Sequence, residues 1–343
     1  MRIFSQYLSR YIAFLLSITL FGTKQISAQE ISDAEWIARD TTVSVIGCYP
    51  IWKKGDSFKY LAKYEKVKYK NDSLISENVL LKAIVSFEII DSLSDGYIIE
   101  YRFIEDLKPK TDSSNKNIQQ ILKKLENSVK DFDFTLRYKV GLDGSFSKYL
   151  NSVEILQKCE AVMKAINSEK IIRHEGESLK SLRFREEYRN LIGTGTKLFE
   201  NLFAINISNF HNLFGLEMGI NDTLYFKESN KIDQLKKEIV SENYLFITTV
   251  DTTLNEVQYV IEKYYSPDIV KEIASKAFKK SLDKKEIENL NGEVFIKNRY
   301  FFNFNIGLLS YLSVLKETLS IDKETSLKTT HHEIWTLSNE LNE

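Results

Sequence analysis

From Phe58 onward, apolar residues fall on every second position. Phe58, Tyr60, Ala62 and Tyr64 alternate with Lys59, Leu61 and Lys63, and Val79, Leu81, Ala83, Val85, Phe87 and Ile89 repeat the pattern. A period of two predicts strands with one face buried. Asn71-Asp72-Ser73 and Asp95-Gly96 supply turn chemistry between the runs. With Tyr97–Phe103 they predict a three-stranded antiparallel meander. The spacing then becomes helical at Ile118, Ile121, Leu122, Leu125 and Val129, and returns to two from Phe134 to Val140, before a turn at Asp143-Gly144.

The middle of the chain reads as helix. Asn151 or Ser152 can cap a helix reaching Ile166, a second covers 177–192, and a third covers about 196–214. Strands return after Asn221-Asp222, at Leu224–Phe226, Tyr244–Val250 and Glu256–Tyr265. Pro267 suits the first turn of a helix through Ile269, Ile273, Ala277 and Phe278. Glu293–Asn305, Leu308–Ser320 and Ser326–Leu337 complete a last meander, and residues 30–50 read as an extended lead-in. The expected class is α+β: antiparallel twisted β-sheet, in one unit or two related halves, with helices packed on one face. The expected divisions are a leader over 1–28, a β half with one helix over 29–150, a helical middle over 151–218, and a second β half with one helix over 219–343. The halves share cues: Asp56-Ser57-Phe58 parallels Asp222-Thr223-Leu224, Asp91-Ser92 parallels Asp251-Thr252, and Ile98-Ile99-Glu100 parallels Val260-Ile261-Glu262.

The start of the chain changes the picture of where it works. Arg2 and Arg10 precede an uncharged 11-residue run, Ile12 to Gly22, followed by small and polar residues ending at Ala28-Gln29. This is the layout of a secretory signal, cut after Ala28. The run is too short for a membrane span, which needs about 20 residues. No second run of that length follows, so the mature chain is expected without a transmembrane segment, in the periplasm, outside the cell or at its surface. With 47 basic and 48 acidic residues, the net charge of -1 gives no field to attract nucleic acid.

An oxidising compartment raises the question of the two cysteines. Cys48 and Cys159 could pair there. Alternatively Cys159 is a small buried hydrophobe, since it shares a helical stripe with Ile155, Leu156, Val162, Met163 and Ile166.

Catalytic patterns fail one by one, so neither catalytic residues nor a cofactor are assigned. Gly193-Thr194-Gly195-Thr196-Lys197 lacks the spacing of a phosphate loop and follows a helix. In His331-His332-Glu333, a strand would put His331 and Glu333 on one face and His332 on the other, and no third or fourth ligand is in view, so no metal is assigned. The simpler reading is a solvated edge strand. The most informative stretch is Leu198 to Ile220, rich in large apolar residues. Phe199, Leu202, Phe203, Phe210, Leu213 and Phe214 would form either plain core or one wall of a cavity for a lipid or apolar small molecule. A surface interaction module and a hydrolase built from distant carboxylates are the competing functions.

The Ser27-Ala28-Gln29 leader end, Lys54-Gly55-Asp56, Phe210-His211-Asn212-Leu213-Phe214-Gly215 and the terminal meander together resemble a loose group of exported Bacteroidota proteins. The alternating strands with packing helices also resemble the curved sheet of lipoprotein carriers. That second resemblance implies a hydrophobic cavity between sheet and helix, though the doubled strands and long helical middle depart from it. Five Asp-Ser/Thr triplets resemble the O-glycosylation acceptor of Bacteroidota envelope proteins, which would place sugars on Thr41, Ser73, Ser92, Thr223 and Thr252. Asp and Ser also favour turns for their own reasons.

Overall fold

The computed structural model describes residues 35–38, 45–106, 134–168, 195–199, 203–232, 237–266, 268, 290–322 and 328–339. The leader, the helical patterns at 118–129, 177–192 and 269–278, Thr41 and Leu202 lie outside them.

The alternating runs become strands, longer than their turn signals suggested. They are β1 (Glu35–Ala38), β2 (Val45–Gly47), β3 (Ser57–Lys70), β4 (Ser73–Leu93), β5 (Gly96–Asp106), β6 (Leu136–Val140) and β7 (Phe146–Tyr149). The second set is β8 (Glu217–Gly219), β9 (Thr223–Ile232), β10 (Lys237–Asp251), β11 (Glu256–Tyr265), β12 (Leu290–Asn303), β13 (Leu308–Asp322) and β14 (Lys328–Ser338). Twelve of them form one antiparallel sheet in the order β1-β9-β10-β11-β12-β13-β14-β3-β4-β5-β6-β7, while β2 pairs with β8. The proposed halves are thus joined edge to edge by β14 and β3, with Trp335 opposite Tyr64 and Leu337 opposite Ala62. Each half runs through three consecutive strands, a link and further strands, and Asp91-Ser92 and Asp251-Thr252 stand at corresponding hairpins. The edge strands β1 and β7 have four residues each, which limits the backbone they offer to a stray strand.

The described helices are α1 (Ser152–Ser168), α2 (Gly195–Phe199) and α3 (Ile205–His211). The described part of the protein is therefore predominantly antiparallel sheet, closer to all-β than to the α+β class expected. Of the helix expected over 196–214, the described residues show Gly195–Phe199 and Ile205–His211 as helix, and the chain beyond becomes β8. Gly215, at φ +84, turns the chain out of the helix. The lead-in is likewise not patternless: β1 pairs with β9, and β2 with β8.

α3 shows how the sheet curves. His211 bonds the Tyr138 hydroxyl on β6, and the next residue, Asn212, bonds that of Tyr300 on β12. Those strands are six places apart, about 29 Å on a flat sheet. One helix about 10–12 Å across can reach both only if the sheet curls around it. The concave face carries the core: Tyr60, Phe87, Ile99, Tyr101, Tyr138, Tyr259, Tyr300, Phe302 and Leu312 are all buried. One end is closed by the segment leading into β3. There the Trp52 indole donates to the Gly307 carbonyl at 2.9 Å, and its ring meets Phe58, Tyr97, His211 and Phe214. Among the described residues, no helix is long and apolar enough to cross a membrane.

Candidate functional site

The six apolar candidates divide as follows. Phe210 stacks on Phe87 with centroids 4.2 Å apart and meets Tyr60 edge-on. Phe203 contacts Tyr101, Phe103 and Phe134, and Phe199 contacts Phe203 and Tyr149. Phe214 lies between Trp52 and Phe302, and Leu213 is buried. Leu202 is outside the described residues. These rings meet other protein rings on every contact recorded, which is the geometry of core. Burial of each contributes about 1.5–3 kcal/mol.

Further along the strands, away from Trp52, the same face changes character. Inward positions follow the period of two, and each of seven neighbouring strands carries a charged or amide residue there, Asn243 on β10 and Lys66 on β3 among them. On β9 the series is Leu224, Phe226, Glu228; on β11 it is Tyr259, Ile261, Lys263. On β12 it is Tyr300, Asn298, Ile296, on β13 Leu312, Val314, Lys316, and on β14 Leu337, Trp335, Glu333. Register places Lys263 opposite Ile296, Asn298 opposite Val314, Lys316 opposite Glu333, and Glu333 opposite Lys66 of β3. Glu228 is 1% exposed, Asn298 2%, Lys263 and Lys316 3% and Glu333 4%, so these groups are inside the protein.

Two ionic groups result. Lys263 Nζ meets Glu228 Oε2 at 2.5 Å. Glu333 faces two lysines, with Lys66 Nζ at 2.9 Å and Lys316 Nζ at 3.7 Å. Burial pulls the Lys66 ammonium down to about 8; Glu333 opposes this and Lys316 adds to it. Burial also lowers Lys316, against the pull of Glu333. His331, inward and beside Lys68, is pulled down to about 4, first by burial. Glu228 Oε1 and Asn298 Oδ1 are buried acceptors with no hydrogen-bond partner among the described residues.

This corrects the reading of His331-His332-Glu333. The faces are as expected, since His332 bonds Glu317 at 2.8 Å while Glu333 points inward. The strand, however, is interior to the sheet between β13 and β3 and is not a solvated edge. Among the described residues, no group of three or more His, Cys, Asp or Glu is placed to hold a metal ion. The row of inward polar residues was missed because each looks like an ordinary outward residue until the strand's parity is fixed. The signal was a charged or amide residue on the apolar parity of seven separate strands.

Both cysteines are buried free thiols, in line with the alternative of a small buried hydrophobe at Cys159 and not with a Cys48–Cys159 bridge. Cys48 sits in the end segment, where its backbone bonds Leu216 and Gly215, and Cys159 faces inward from α1. Burial raises them to about 12 and about 11, which suppresses the reactive thiolate. Both thiols should resist a thiol reagent at pH 8 in the folded protein and both should react in denaturant; a folded protein in which neither reacts even after unfolding would show a disulfide instead.

Of the triplet hydroxyls, Ser73, Ser92 and Thr252 are exposed and Thr223 is half-buried. Their aspartates work in turns. Asp91 accepts from the Ser92 amide, Asp251 from those of Thr253 and Leu254, and Asp222 from that of Gly219. No protein family matches this chain, and no curated protein matches it, so the functional argument rests on these residues.

Proposed function

We propose that this is a non-catalytic exported envelope protein that binds an amphipathic ligand against the concave face of its sheet. One observation carries the reading: that face holds buried ion pairs and amides among Ile261, Ile296, Val314 and Trp335. Buried ion pairs contribute little or nothing to stability compared with well-packed apolar side chains. A face that mixes them with aliphatic and aromatic residues suits a molecule with both a polar and an apolar part. The ligand zone then lies beyond the Phe199–Phe214 rings, which are core. The secretory leader and the resemblance to exported Bacteroidota proteins and lipoprotein-carrier sheets support the compartment and the kind of ligand.

The protein recovered from its native envelope tests this. Intact mass should show loss of residues 1–28, and added sugar if the exposed Ser73, Ser92 and Thr252 are acceptors. Organic extraction should release an amphiphile in near-equal amount to the protein. A full-length mass with a ligand-free extract would overturn the reading.

A surface interaction module is the second reading. Ile51, Leu142, Leu254 and Ile306, on turns and loops, and Val45, at the start of β2, are each more than half exposed. It predicts a ligand-free protein held at the cell surface by these residues.

A further inference from the structure

We propose that the ligand's head is neutral and hydroxylated, with Glu228 and Asn298 accepting hydrogen bonds from its hydroxyl groups. This rests on the amphiphile reading and names the chemistry of the same face.

The inference starts from two of the three buried acceptors without a hydrogen-bond partner among the described residues; the third, Glu333 Oε2, already has the Lys316 ammonium 3.7 Å away. Glu228 Oε2 is held by Lys263 while Oε1 has no donor among the described residues, and Asn298 uses its amide nitrogen on the Tyr300 hydroxyl while Oδ1 has none among them. A buried acceptor left without a donor is costly, and both are nearly inaccessible. They belong to one region of the concave face. Lys263, which bonds Glu228, stands opposite Ile296, and Ile261, the next inward residue of β11, stands opposite Asn298, which bonds Tyr300. What is wanted there is therefore a donor.

Charge selects among donors. The Glu228–Lys263 pair is neutral as a unit, with 2.5 Å between its charged atoms. A cationic head would bring a second positive charge beside Lys263 in a low-dielectric interior. An anionic head would meet the carboxylate and offer it no hydrogen. A hydroxyl gives hydrogens without adding charge, and the tyrosine rings nearby suit the apolar face of a sugar or glycerol unit.

Three amphiphiles with the same twelve-carbon tail test the head: dodecyl maltoside, dodecyltrimethylammonium and dodecanoate, each titrated calorimetrically below its micelle concentration into the mature chain. Dodecyl maltoside should bind about ten-fold tighter than either charged form. Asn298→Leu removes an acceptor and leaves no charge stranded. It should weaken the maltoside by about ten-fold, change the others little, and leave the melting temperature equal or higher. The double variant Glu228→Leu/Lys263→Met removes the pair whole and should cause the same selective loss. Equal binding of all three heads, or tighter binding of a charged one, overturns the head-group inference and leaves the amphiphile reading standing. An Asn298→Leu protein that binds the maltoside normally also overturns it, since an internal water would then satisfy these acceptors. Failure of all three to bind overturns the amphiphile reading itself.

Discussion

His211→Gln should flatten the acid side of the stability curve. His211 ends α3 among the rings of Trp52, Tyr138, Phe210 and Phe214. Its Nδ1 faces the Gly144 carbonyl at 2.8 Å, so that nitrogen donates, and Nε2 accepts from the Tyr138 hydroxyl at 2.8 Å. The ring is thus neutral, with both nitrogens used. Burial drives it down from 6.5 to about 3, against the opposing pull of the Gly144 bond. Between those values the unfolded chain takes up a proton that the folded one refuses. The stabilisation is complete above pH 6.5 and drains away as pH falls toward 3. At pH 4.5, two units below the ordinary value, the loss is about 3 kcal/mol. His331, pulled down to about 4 by burial with Lys66, Lys68, Glu333 and, on the opposite face, His332 as its charged neighbours, acts in the same direction.

Glutamine keeps a donor and an acceptor but does not titrate. Urea unfolding at pH 7.5 and pH 4.5 should therefore show the wild type losing about 3 kcal/mol more than His211→Gln between the two conditions. Parallel losses in both proteins would show that His211 does not stay neutral in the fold. Gly144 belongs to the same device. Its φ of +82 and a place against Phe214, where a Cβ would approach the ring to 2.5 Å, hold its carbonyl under the imidazole.

Removing the carboxylate of Glu333 should cost about 3–5 kcal/mol, because the two buried ammonium groups of Lys66 and Lys316 are left facing each other. Glu333→Leu is the direct variant. In the wild type, burial already lowers Lys66 to about 8. Without Glu333, both lysines lose the partner that favours their charged forms, so their pKa values fall further below the unfolded value of 10.5. The unfolded chain then binds more protons up to pH 10.5, and the variant should regain stability as pH rises through 8 and beyond. Replacing all three, as Lys66→Met/Lys316→Met/Glu333→Leu, should restore most of the loss at pH 7, since no charge remains to be buried. Denaturant midpoints measure each step. A single variant as stable as wild type at pH 7 would mean that the three groups are hydrated and that the face is open to solvent.

Much of the architecture was already legible in the chain. The period of two from Phe58 to Ile89 made strands inevitable, because alternate burial is the only way a pleated chain can bury such a pattern, and Asp95-Gly96 and Asp143-Gly144 set turns that the structure keeps. The polar turns at Asp91-Ser92 and Asp251-Thr252 were likewise visible, and each stands at a hairpin between long strands. Local pattern could not say that β14 would pair with β3, since pairing partners far apart in sequence leave no trace in either strand's own period. That one pairing made a single sheet of two meanders and moved Glu333 from an apparent edge to the interior. Nor could Leu198–Ile220 declare its form throughout: an apolar-rich stretch takes helix or strand according to what surrounds it, and here it takes both in turn. The chain by itself determined which residues alternate and where it turns, because these are consequences of backbone geometry within a few residues. Only the tertiary structure decided which alternate face is enclosed, and so which of many outwardly similar lysines, glutamates and asparagines are buried together, because enclosure depends on strands brought together from opposite ends of the sequence.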